Sequence, residues 1–116
     1  MEKNGIHIVC DNRVAAYAVD YLAFTVDGEG IIPTPNLGTS YVLQGYASGG
    51  DNLPNQFTIF ATQNATNITI TTPVATSANA GLTQSHAAGS SWNITLNAGE
   101  TYTVADRSPA SLITSV

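Results

Sequence analysis

The sequence predicts an all-β fold, a two-sheet antiparallel β-sandwich of about seven strands with long Gly/Pro-rich loops. Three observations lead there. Apolar and polar residues alternate with period two along most of the chain. No stretch carries a helical period that excludes a strand. The polar residues are mainly Thr, Asn and Ser, with only 9% of the chain charged, against a usual share of about 25%. A surface kept soluble by hydroxyls and amides is associated with extracellular β-rich modules.

The elements follow in chain order. In "GIHIVC" (5–10), Ile6, Ile8 and Cys10 share one strand face, and Cys10 is expected to be a small buried hydrophobe. After the turn "DNR", residues 14–19, "VAAYAV", are apolar on both sides and predict a central strand, paired as a hairpin with the first. The longer run "RVAAYAVDYLAF" also fits an amphipathic helix. Residues 25–38, "TVDGEGIIPTPNLG", are dense in Gly and Pro and predict loop. "TSYVLQGY" resumes as strand, with Tyr41 and Leu43 on one face and Val42 on the other. "QFTIFAT" (56–62) and "NITITT" (67–72) read as a hairpin through "QNAT", with Ile68 and Ile70 inward and Thr69 and Thr71 outward. Residues 74–90 are small and polar without a period, which predicts a long loop or mobile insertion. A second hairpin closes the chain: "WNITL" (92–96) places Trp92, Ile94 and Leu96 inside, "NAGE" turns, and "TYTVA" (101–105) returns with Tyr102 and Val104 inside.

Length and charge bound the function. At 116 residues the chain fits one domain with a real core. The net charge is −5, with Lys3, Arg13 and Arg107 the only permanent cations. Clustered Lys and Arg for a phosphate backbone or an anionic lipid surface are therefore absent, and neither nucleic acid nor membrane insertion is expected. One cysteine cannot form an internal disulfide. No apolar run reaches the ~18 residues of a helical membrane span, and "MEKNG" does not read as a signal peptide.

Candidate sites are few. Asp27 and Glu29 in a Gly-rich segment, with Asp20 and Asp51 as further oxygens, are weak calcium candidates, because the spacing of a D-x-D-x-D-G loop is missing. Solvated carboxylates account for them as well, so no metal and no cofactor is expected. Asn64, Asn67 and Asn93 each head an N-x-[ST] triplet. They are sugar acceptors if the protein passes through a eukaryotic secretory route, with Asn64 in its turn best placed; otherwise they are outward polar residues of a sheet, which the composition favours. His7 and His86 sit in unlike contexts, and G-x-S-x-G, H-E-x-x-H, C-x-x-C and phosphate-loop patterns are all missing. No pair of carboxylates falls in a shared register that glycosidase chemistry could use. The chain is expected not to be an enzyme. For binding, the aromatics Tyr21, Phe24 and Tyr46 flank two Gly-rich loops and could anchor a partner; the alternative is that their rings belong to the core.

Four ordered blocks, "GIHIVCDNRVAAYAVDY", "LGTSYVLQGY", "NQFTIFATQNATNITIT" and "LNAGETYTV", together resemble the IgGFc-binding protein N-terminal domain family over roughly residues 5–105. Two departures stand out: the first block lacks that family's turn proline, Arg13 running straight into Val14, and Cys10 replaces a small hydroxyl residue. The resemblance implies residues 1–116 as one β domain, a single period cut from a longer array. It implies a module of a bacterial-type secreted or cell-surface protein, acting in adhesion or protein recognition. The implied partners are a protein or glycan ligand at the cell surface and neighbouring modules of the same chain. The runner-up is a structural unit that packs or self-associates into a stalk or filament, and a third reading is a carbohydrate-binding or carbohydrate-active domain.

Overall fold

A computed structural model of the chain describes residues 5–22, 25–43, 55–78 and 84–106. Their regular secondary structure is almost entirely β: six strands and a single 3-10 turn, with the strands paired antiparallel in three two-stranded sheets. The chain divides into two compact units, His7–Thr39 and Met1–Ile6 with Ser40–Val116.

The smaller unit is a ribbon. Strand β1 (Tyr17–Leu22) pairs with β2 (Thr25–Gly30) in the register Tyr17↔Gly30 through Leu22↔Thr25. The Ile31 N–H donates to the Ala16 carbonyl at 2.9 Å and lengthens the ladder by one pair. Pro33 then ends the pairing, and a 3-10 turn follows at Thr34–Asn36.

Several expectations are corrected here. Residues 5–10 form no strand, so Cys10, lacking a strand to bury it, is exposed. The partner of "AYAVDYL" is instead the segment read as loop, because "TVDGEG" keeps period two with glycine in place of apolar side chains. "VAAYAV" is no covered central strand: only Ala16 is even half-buried. Residues 40–43 are not in a strand, and the remainder of that predicted strand, 44–46, lies outside the described residues.

The larger unit holds the core. Strand β3 (Asn55–Phe60) pairs with β6 (Thr101–Asp106), and β4 (Thr66–Thr71) with β5 (Ser91–Leu96). Ile70 and Val104 sit at the centre of one cluster, packed by Phe57, Ile59, Ile68, Val74, Trp92, Ile94 and Tyr102. Each ribbon thus turns its apolar stripe to the other, and the inward residues are those the alternation predicts for β4, β5 and β6. The outer face of β4 and β5 is a ladder of hydroxyls and amides. Thr69 donates to Asn93 Oδ1 at 2.7 Å, Thr95 to Asn67 Oδ1 at 2.8 Å, and Thr71 bonds Ser91 at 2.7 Å.

The two expected hairpins are not hairpins. From β3 the chain crosses through residues 61–65 into the other ribbon, and from β5 it crosses back through 97–100. The two crossings lie side by side and are joined by reciprocal asparagines. Asn64 Oδ1 accepts from the Ala98 N–H at 3.1 Å, while Asn97 Oδ1 accepts from the Ala65 N–H at 3.2 Å. Ala61 and Gly99 add a backbone bond of 2.9 Å, and Glu100 reaches the Asn97 N–H at 2.7 Å. Gly99 holds φ +84° with open space where a Cβ would stand. Gly99→Ala is therefore expected to cost about 1 kcal/mol through backbone strain alone; a urea denaturation midpoint equal to that of the parent would contradict this.

The segment read as a mobile insertion is tethered wherever it is described. Ser77 donates its N–H to the Ala105 carbonyl at 3.0 Å, and Thr76 pairs with His86 through backbone and side chain. The His86 ring stacks on Trp92, with centroids 3.6 Å apart and planes 4° from parallel.

Candidate protein-binding surface

In β1 and β2 residues directly opposite one another share a face. Tyr17, Val19 and Tyr21 therefore lie beside Gly30, Gly28 and Val26. The glycines leave β1 to supply most of the apolar area, a Tyr-Val-Tyr stripe bounded at one end by Val26. This stripe is open: Tyr17 is 75% exposed, Val19 67%, Tyr21 77% and Val26 68%. Scattered apolar residues on a surface carry no message, whereas a contiguous set of aromatic and β-branched side chains is a candidate contact surface. Ile31 and Ile32, which follow β2 directly, are exposed as well.

The other side of the ribbon is acidic. Ala18 stands opposite Glu29, and Asp20 opposite Asp27. Within His7–Thr39 the acids are Asp11, Asp20, Asp27 and Glu29, against Arg13 as the one permanent cation.

Of the aromatics singled out from the sequence, Tyr21 is on the open stripe, while Phe24 and Tyr46 lie outside the described residues. Tyr17 and Val19, assigned to a core by their apolar run, join Tyr21 instead. The signal for this was available in "TVDGEG", whose glycines alternate with acids in a way a free loop has no need to keep. Of the calcium candidates, Asp27 and Glu29 lie on β2, and Asp51 is outside the described residues. Among the described residues no group of three His, Cys, Asp or Glu side chains converges to hold a metal ion.

Asn64, Asn67 and Asn93 are all exposed, and each uses its side-chain carbonyl within the larger unit. Of the histidines, His7 is exposed in an unpaired segment and His86 is stacked on Trp92 with its Nε2 buried and unpartnered. No described helix is long and apolar enough to cross a membrane.

The family model described as IgGFc binding protein matches residues 27–116, from the third residue of β2 to Val116. No curated protein and no solved structure matches the chain.

Proposed function

Because the chain belongs to the family of the IgGFc binding protein, we propose that it is a non-catalytic protein-recognition module of a secreted or cell-surface protein, with the apolar stripe of the β1–β2 ribbon as its contact surface. The observation that carries this is the exposure of Tyr17, Val19, Tyr21 and Val26 on one face of a ribbon. Tyrosines bury large area at low conformational cost while keeping a hydroxyl to pair, and they recur among the residues that dominate interfaces. β1 precedes the matched range of residues 27–116. The family description names IgG Fc, which makes that fragment the first partner to try.

The test is saturable binding to immobilised IgG Fc and to a panel of extracellular matrix proteins, compared between the parent and Tyr21→Ser. Truncating a central interface tyrosine is expected to weaken binding at least tenfold. The thermal midpoint should hardly move, since a surface substitution changes stability by only about 0.5 kcal/mol. Undiminished binding by Tyr21→Ser would move the contact surface elsewhere.

A second reading, a structural unit that packs end to end, rests on the same exposed stripe. Sedimentation across a hundredfold range of concentration separates the two. A module that recognises other proteins stays monomeric, whereas a stalk or filament unit grows.

A further inference from the structure

The ribbon has an open edge as well as an open face. The bond from the Ile31 N–H to the Ala16 carbonyl identifies Ala16 and Ile31 as a hydrogen-bonded pair. Such pairs alternate along an antiparallel ladder, so Ala18, Asp20 and Leu22 turn their backbone groups toward β2. Tyr17, Val19 and Tyr21 turn theirs away, and β1 has no neighbour there among the described residues. The residues that form the apolar stripe are thus the ones that offer N–H and C=O groups at the edge.

We propose that this edge takes an extended segment of a partner protein as a third, antiparallel strand, and that the segment alternates apolar with basic residues. This deepens the reading of the stripe as a protein-binding surface and rests on it. Two general properties of sheets and one observation set the chemistry. A two-stranded ribbon is marginal in water, and a third strand is the least addition that makes such a sheet stable. Added strands gain main-chain hydrogen bonds from the edge and specificity from alternate side chains. A partner residue opposite Val19 falls on the Tyr17/Val19/Tyr21 side, so it is apolar; its neighbours, opposite Ala18 and Asp20, fall on the side that carries Asp20 and Glu29. Lysine or arginine there meets the carboxylates of Asp20 and Glu29, in a unit whose one permanent cation is Arg13. A second copy of the chain, at net −5, brings the wrong sign of charge.

In this arrangement the apolar residues of the partner turn their amides to β1 and the basic residues turn theirs to solvent. That coupling gives the test. A dye-labelled, end-blocked Val-Lys-Val-Lys-Val-Lys-Val peptide is titrated with the whole chain at low and at physiological salt. It is expected to bind and to weaken with salt. N-methylation of the central lysine should leave binding within twofold, while N-methylation of a central valine should weaken it tenfold or more. Asp20→Lys should weaken binding at low salt, and a peptide of the same composition with its lysines and valines in separate blocks should bind at least tenfold less.

Equal loss from both N-methyl peptides, or equal binding of the blocked peptide, overturns strand addition. If Tyr21→Ser still weakens binding in that case, the face survives as a contact surface without the edge. No binding at millimolar peptide overturns the inference and leaves the Fc and matrix screen to decide the broader reading. Slow amide exchange of Tyr17, Val19 and Tyr21 without peptide also overturns it. In a dimer that protection would identify a second copy as the occupant, and in a monomer another segment of the same chain.

Discussion

Ile70→Ala is expected to lower the unfolding free energy by about 3 kcal/mol, within the range for truncating a buried isoleucine where the surroundings collapse only in part. Ile70 is 0% exposed, stands opposite Trp92 in the β4–β5 register, and shares the centre of the only hydrophobic cluster found among the described residues with Val104 of the facing ribbon. With two strands to a layer, few neighbours are available to close over a lost side chain. A change of this size should lower the melting temperature by more than about 10 °C in a domain near 100 residues. Trp92, the single tryptophan, lies in the same cluster and reports the transition by fluorescence. A loss below 1 kcal/mol would mean that the two ribbons do not share one core.

The two threonines that follow β4 should respond with opposite signs to the same replacement. Thr76 is buried, and its hydroxyl accepts from the His86 N–H at 2.9 Å and donates to the Gln84 carbonyl at 2.9 Å. Valine keeps the shape but leaves both backbone groups without these bonds, so Thr76→Val is expected to cost about 2–3 kcal/mol. Thr72 is buried more completely, yet its hydroxyl has no hydrogen-bond partner. Valine there removes a desolvated polar group without emptying space, and Thr72→Val is expected to be neutral or to stabilise by about 1 kcal/mol. Equilibrium urea unfolding of the two variants beside the parent checks both. A large loss in Thr72→Val would show that its hydroxyl does have a partner.

Part of the exposed apolar stripe is legible in the sequence and part is not. Tyr21, an aromatic beside a Gly-rich stretch, reads as either a partner anchor or a core ring, and the structure leaves it exposed. Tyr17 and Val19 read as core because "VAAYAV" is apolar on both sides, and hydropathy cannot tell a stripe covered by the chain's own residues from one left open. Glycine hid β2 for a related reason. It lowers strand propensity, yet Gly28 and Gly30 stand beside the bulky residues of β1, where a small neighbour leaves Tyr17 and Val19 standing clear. Nor does hydropathy reveal the acidic side, since Asp20 and Glu29 come to one face only once β1 and β2 are in register.

What the sequence by itself determined is the set of faces. Ile68 and Ile70, Trp92, Ile94 and Leu96, and Tyr102 and Val104 point inward because side chains alternate strictly along a strand, and a shift of one residue would bury Thr and Asn instead. It also determined the outward Thr and Asn residues and the low charge. The tertiary structure alone decided which strand lies beside which. A period of two names the face that each strand buries but not the neighbour that shares its hydrogen bonds, so hairpins and crossings between ribbons predict the same alternation. The choice is made where the chain turns, by contacts far apart in sequence: Asn64 on the Ala98 N–H, Asn97 on the Ala65 N–H, and Thr76 across to His86. Each is a polar bond between residues whose meeting depends on the finished fold.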